Sequence, residues 1–290
     1  MEYKKSLKHL EIEELLDLYF FRILGYGFVK LIARTSVTPN QVTYLGMAFG
    51  VLSGYFFSIG TEDALMTAAV LLLLANVMDC ADGQLARLKK NGTQLGSMID
   101  GLFDYIVGAA SILGIGAYLS HHYPLHVVVP LTVLAGCSRS IQNLLLDLRR
   151  RFYTDTSALG DSPLMDDYDK SVHDLRRLRY ARGHLAEKFV LRLSLVYFAA
   201  QRLTIRLSRI NSTDFRMIST LPDDKSLIMR LWTLVGSSTH ISFVIVAAFF
   251  NHLEVYFWAA ITTGNLIVII LLLVETYLVH RIESTTMEVK

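Results

Sequence analysis

The sequence predicts an all-α polytopic membrane protein: six transmembrane helices, an N-terminal interfacial helix and a cytoplasmic helical insertion. Three observations carry this. The chain of 290 residues is 52% hydrophobic and only 19% charged, and its mean hydropathy of +0.40 exceeds what a solvated surface tolerates, which excludes a soluble enzyme. Long gaps without charge recur along it. Lysine and arginine fall almost entirely between alternate gaps, so the loops have two distinct sides. The two cysteines, Cys80 and Cys137, lie in apolar stretches and offer neither a disulfide framework nor a cysteine zinc site. No nucleic-acid partner is expected.

The elements follow in order. Residues 1–14 are charged and lack the apolar core of a cleavable signal, so the N-terminus is expected to be retained. Residues 12–33 mix Leu15, Leu16, Phe20, Leu24, Phe28 and Ile32 with Arg22 and Lys30, the pattern of a helix lying in the membrane interface. No charge occurs between Arg34 and Glu62, and residues 42–60 are long enough to cross a hydrocarbon core at about 1.5 Å per residue. Further spans are expected at 64–88, 96–119, 125–148, 229–250 and 255–280. The loops 61–63, 120–124 and 251–254 contain no Lys or Arg, whereas the opposite side holds nearly all 28. The positive-inside rule then places both termini in the cytoplasm. Gly46 and Gly50 predict close helix packing in the first span, within the chain or between subunits of a homodimer.

Four segments result: 1–38, an interfacial helix; 39–148, the first four spans; 149–228, a cytoplasmic amphipathic insertion; and 229–290, the last two spans with a tail. The insertion opens on Arg149, Arg150 and Arg151, and its acidic, proline-bearing piece 161–169 reads as a loop. From 170 to 210 an apolar stripe including Leu175, Leu178 and Leu185 is flanked by arginines, which suits helices for lipid-surface contact, subunit contact or roofing a site.

The chemistry concentrates in the second and third spans. Asp79, Asp82, Asp100 and Asp104 put four carboxylates into two apolar helices. An ionisable residue inside a span is unfavourable by roughly 2.5–3.5 kcal/mol, so four of them require compensation and point to function. Asp79 and Asp82 share one side of the first helix, and Gly96, Asp100 and Asp104 share one side of the next. In an antiparallel hairpin Asp79 lies level with Asp104, and Asp82 near Asp100. Hard oxygen donors without His or Cys select Mg²⁺, Mn²⁺ or Ca²⁺, and two divalent ions would neutralise the cluster. Two-metal sites of this kind usually act on phosphates. Gly83 and Gly96 admit a ligand or a neighbouring helix, and Arg87, at the water boundary, suits a phosphate.

The spacing D-x2-D-G-x2-A-R-x8-G-x3-D-x3-D from Asp79 to Asp104 resembles the signature of the CDP-alcohol phosphotransferases, and every fixed position is met. Six helices, an interfacial N-terminal helix and the turn at Thr38, Pro39, Asn40 and Gln41 agree with that family; the 149–228 insertion exceeds its compact members. The resemblance implies that Asp79, Asp82 and Asp100 bind two Mg²⁺ or Mn²⁺ ions, and that Asp104 is the general base and also a candidate ligand. Gly83, Ala86 and Arg87 would contact the CDP moiety. The implied reaction displaces CMP from a CDP-alcohol by an acceptor hydroxyl in phospholipid biosynthesis. Either the donor is a lipid such as CDP-diacylglycerol, with a small polar acceptor, or a small CDP-alcohol meets a lipid acceptor. Tyr105 stands where many phosphatidyltransferases carry a basic residue, which weakens assignment to any one substrate subclass.

Arg139, well inside the fourth span, is assigned to a phosphate or acceptor because an intramembrane charge is functional by default. His240, Asn265 and Glu275 are read as interhelical hydrogen-bonding residues. A cation-binding transporter would also explain buried aspartates, but not Gly83, Ala86, Arg87 and Gly96 at this spacing.

Overall fold

The computed structural model describes residues 12–90, 94–157, 163–178 and 222–288, with short stretches between 188 and 203. Every described element is helical. A π-helical turn at Asp17–Phe21 leads into α1 (Arg22–Ile32), followed by α2 (Pro39–Ile59), α3 (Glu62–Lys89), α4 (Gln94–Ser120), α5 (Leu125–Ser157) and α6 (Pro163–Leu178). Then come α7 (Pro222–Trp232), a 3₁₀ turn at Thr233–Val235, α8 (Ser237–Phe249), α9 (Leu253–Ala259), a π turn at Ala260–Gly264 and α10 (Asn265–Glu288).

Local chemistry sets these boundaries. Thr38 and Gln41 form a reciprocal capping box, with Thr38 N–H donating to Gln41 Oε1 at 2.9 Å, and Pro39 occupies the first helical position of α2. Gly60 closes that helix at φ 77°, and Thr61 caps α3 by accepting from the Ala64 N–H at 3.3 Å. Among the described residues four stretches are long and apolar enough to cross a membrane: Pro39–Ile59, Glu62–Lys89, Phe103–Ser120 and Leu253–Ile282; the broken pair Leu227–Val235 and Ser237–Phe249 makes up to five. The expected fourth span, within α5, carries Arg139 and Pro130.

Two sequence expectations are corrected. The fifth span, expected as one helix over 229–250, is interrupted: Gly236 is the N-cap of a new helix, in extended conformation. A glycine followed by Ser237, Ser238 and Thr239 favours a helix start over continuation. The piece 161–169, expected as a loop, enters α6 at Pro163. Proline is tolerated at a helix's first turn, where its missing N–H has no intrahelical partner anyway. Most of the stripe expected over 170–210 lies beyond Leu178, largely outside the described residues.

The chain divides into two compact units, Met1–Asn143 with Thr233–Leu266, and Leu144–Trp232 with Ile267–Lys290. In the first, α2 packs along both α3 and α4. Its glycines make this possible. A Cβ on Gly46 would stand 2.9 Å from Met78 Cβ and 3.0 Å from Phe103 Cε2, and one on Gly54 would stand 2.4 Å from the Ala110 carbonyl oxygen. The Gly46 and Gly50 face therefore serves contacts within the chain, where helix backbones approach too closely for any side chain. Around it Phe57, Leu72, Phe103, Val107 and Phe257 are fully buried.

The π turn and α1 dock on α3 with Phe21 and Val29 inward, while Tyr19 and Leu31 are 74% and 78% exposed. Arg22 points inward and pairs with Glu13 at 2.5 Å. Burial works against its charge, but Glu13, Cys80 and Asp17 outweigh that, so the guanidinium holds its proton more tightly than usual. In the second unit Arg149 and Glu275 form a buried pair at 2.9 Å, and Trp232 Nε1 donates to Glu275 at 2.7 Å.

Candidate active site

The helix carrying the first half of the motif is held from two sides. Gln84 Nε2 donates to the Arg22 carbonyl at 3.0 Å, and Gly25 of α1 lies against the Ala81 backbone. At the other end Lys89 Nζ donates to the Thr35 and Val37 carbonyls at 2.8 and 2.7 Å, tying the end of α3 to the chain entering α2. Lys90, in the left-handed region at φ 51°, then turns the chain towards α4.

Within this frame Asp82 is 3% exposed, and its Oδ2 accepts a hydrogen bond from Thr43 Oγ1 of α2. Asp79, one turn earlier, is half-buried. The Arg87 guanidinium folds back along Gly83, with Nη1 3.4 Å from where a Cβ would stand. A side chain there would compete with whatever that guanidinium binds. Ala86 is half-buried on the same helix.

The second half of the motif lies on α4. Asp100 and Gly96 fall in a stretch whose side chains are outside the described residues. Asp104 is described: Ser237 Oγ, the first residue of α8, donates to its Oδ1 at 2.7 Å. Arg139, 3% exposed, lies over Gly108 one turn further along α4, where a Cβ would stand 2.9 Å from the guanidinium carbon. Its Nη2 reaches Ser237 Oγ at 3.5 Å, while its Nη1 is buried with no hydrogen-bond partner. The Tyr256 hydroxyl lies 3.3 Å from His240 Nδ1.

Asp104, Tyr105, Arg139, Ser140 and Asn143 line one cavity of about 490 Å³, which continues past apolar Ile112 and Val133. An aspartate and a buried guanidinium thus border one groove, which is mostly apolar and opens on the helix surface past exposed Leu113, Val133 and Ile141. Met78 and Phe103, the chain neighbours of Asp79 and Asp104, meet at the same glycine, Gly46. The contact is in keeping with the level expected for Asp79 and Asp104; the pairing expected of Asp82 with Asp100 lies outside the described side chains.

Residues 36–160 match the family model described as CDP-alcohol phosphatidyltransferase. This stretch carries a CDP-alcohol phosphatidyltransferase domain. The domain covers α2, α3 and α4 with all four aspartates, and Arg139 on α5. Curated relatives align over similar lengths. A bifunctional IPC transferase and DIPP synthase of Thermococcus kodakarensis is 33% identical over 34% of this chain and 22% of its own. An archaetidylinositol phosphate synthase of Pyrococcus horikoshii is 29% identical over 30% of this chain and 44% of its own. A phosphatidylinositol phosphate synthase of Corynebacterium glutamicum is 33% identical over 32% of this chain and 42% of its own. The alignments therefore span less than half of each of these three relatives.

Several residues around the phosphatidyltransferase domain escape sequence reasoning. Thr43 and Ser237 supply hydroxyls to Asp82 and Asp104, and the Tyr256 hydroxyl meets His240. A hydroxyl in an apolar helix usually bonds its own preceding carbonyl, as Ser111 does to Val107 at 2.9 Å, so its presence carries no signal. The one available clue was the Gly-Ser-Ser-Thr run at 236–239, a helix-start pattern inside an apolar stretch. Asn265 and Glu275 behave as interhelical bonding residues. Asn265 Nδ2 donates to Ser138 at 2.9 Å, and Glu275 accepts from Arg149 and Trp232.

Proposed function

We propose that this protein is an integral-membrane phosphotransferase that moves a substituted phosphate from a CDP-alcohol to an acceptor hydroxyl, releasing CMP. The observation that carries the reading is the cavity bounded by Asp104 and Arg139, with Met78 and Phe103, the chain neighbours of Asp79 and Asp104, meeting at Gly46. It supplies a proton acceptor and an anion partner beside the motif that the family match covers.

The donor's pyrophosphate is assigned to Arg87, with Gly83 and Ala86 leaving room for the nucleotide. Asp79, Asp82 and Asp100 are proposed to hold two Mg²⁺ or Mn²⁺ ions, with Asp104 as a further ligand. An all-oxygen donor set fits these hard ions: Asp79 and Asp82 stand one turn apart on α3, and Thr43 fixes Asp82. Among the described residues no three carboxylate, His or Cys groups converge on one point; Asp100 is the donor outside that description. When bound, such ions polarise phosphoryl oxygens and stabilise a leaving phosphate.

The remaining chemistry belongs to the chain. Asp104 accepts the proton of the acceptor hydroxyl, whose oxygen attacks the β-phosphorus while the bond to CMP breaks. Arg139, a cavity-lining cation, is the proposed partner of an anionic or strongly polar acceptor. Two relatives named as synthases of inositol phosphate lipids support a lipid donor, such as CDP-diacylglycerol, with an anionic polyol acceptor. The reverse pairing, a small CDP-alcohol with a lipid acceptor, is the second reading. Six spans with both termini and the site on the cytoplasmic side, in a homodimer, complete the proposal.

The test is release of radiolabelled CMP by the purified protein from each donor class against a panel of acceptors. Metal-dependent CMP release requiring an acceptor is expected. Cation flux in proteoliposomes with no CMP release from any donor would favour a transporter and reject the proposal.

A further inference from the structure

The interruption of the fifth apolar stretch has a chemical consequence. Non-helical backbone at membrane depth is tolerated where it is buried against protein or lines a cavity. Here the break is held by two features. Gly236 lacks a Cβ where one would stand 2.2 Å from Glu14 Cδ, and the Glu14 carboxylate, 2% exposed, accepts from the Thr239 N–H at 3.0 Å. The buried carboxylate satisfies one of the free N–H groups of α8 and complements its dipole. This anchors the start of the helix, and Ser237, its first residue, is left facing Asp104.

We infer that Ser237 is a positioning residue for the transfer reaction, acting through Asp104. This rests on the reading of Asp104 as the general base. The Ser237 hydroxyl has one proton and gives it to Asp104 Oδ1 at 2.7 Å; its oxygen lies 3.5 Å from Arg139 Nη2. Two results follow. The carboxylate is held by one oxygen, so the other is presented to the acceptor hydroxyl in a fixed orientation. The same hydroxyl also meets the guanidinium, through Nη2 at 3.5 Å, so one side chain sets the positions of Asp104 and Arg139 together. Ser237 lies outside residues 36–160, so the matched domain does not contain it.

The experiment is a double-mutant cycle on CMP release, with Ser237→Ala made in the wild-type and Asp104→Asn backgrounds. Donor and acceptor KM and melting temperature are measured throughout. Loss of one hydrogen bond to a charged group lowers kcat roughly 10- to 100-fold. The expected result is that loss in the wild-type background with donor KM unchanged, and no further loss in Asp104→Asn. Ser237→Cys, which keeps the side chain's shape in a slightly larger volume and donates weakly, replaces alanine should alanine prevent folding. Unchanged kcat in both substitutions, or an equal fall in both backgrounds, overturns the inference and leaves Asp104 as the base untouched. Unchanged turnover in Asp104→Asn alone removes the base assignment, and the role of Ser237 with it.

Discussion

Removing Glu275 from the second unit gives the sharpest energetic test. Its carboxylate and the Arg149 guanidinium are both 1% exposed, joined at 2.9 Å, with Trp232 Nε1 on the same carboxylate at 2.7 Å and Arg149 stacked 4.4 Å over the indole. Arg149 Nη1 already lacks a partner. Glu275→Leu would leave a buried cation and an indole N–H uncompensated, a loss of about 3–5 kcal/mol for a broken buried pair. At roughly 2–4 °C per kcal/mol for a chain of this size, the melting temperature falls by about 6–20 °C. Replacing both charges, Arg149→Met with Glu275→Leu, removes the desolvation penalty together with the attraction and should recover most of the loss. The assay is thermal unfolding of the detergent-solubilised protein, read by tryptophan emission. Trp232 is fully buried and Trp258 is 55% exposed, so a red shift on Glu275→Leu reports the released indole. A double variant at least as unstable as Glu275→Leu would refute the reasoning, because the cluster would then be stabilising through packing that charge does not control.

Further expected outcomes concern the site and the topology. Chelator should abolish CMP release and Mg²⁺ or Mn²⁺ restore it, with Asp79→Asn and Asp82→Asn inactive in folded protein; turnover in excess chelator rejects the two-ion site. Asp100→Asn should weaken metal and donor binding together, whereas Asp104→Asn should keep donor affinity and cut turnover roughly 10²- to 10⁴-fold, the scale of a positioned base; equal loss of donor affinity makes Asp104 chiefly a ligand. Arg139→Gln should raise the KM of an anionic acceptor about tenfold or more and leave donor KM unchanged, checked by initial rates with charged and uncharged acceptors. A reporter after Lys290 should be cytoplasmic and a cysteine at Thr61 should label from outside; labelling of that cysteine only from the cytoplasm overturns the orientation.

Much of this molecule is legible from one dimension because its determinants are local or periodic. Apolar length defines a span without knowledge of its neighbours, and Thr38, Pro39 and Gln41 start α2 through bonds confined to one turn. The motif from Asp79 to Asp104 is equally local, confined to 26 consecutive positions, so spacing alone pointed to the family whose model residues 36–160 match. What the tertiary structure decided is long-range. Thr43 meets Asp82 across 39 residues, and Ser237 meets Asp104 across 133. The break at Gly236 is held by Glu14, 225 residues before the Thr239 N–H that it accepts from. Hydropathy averages over such a break because serine, threonine and glycine weigh little in either direction. A hydroxyl's partner is set by packing, since the same group can bond its own helix or a neighbouring one, and only the approach of another backbone settles which.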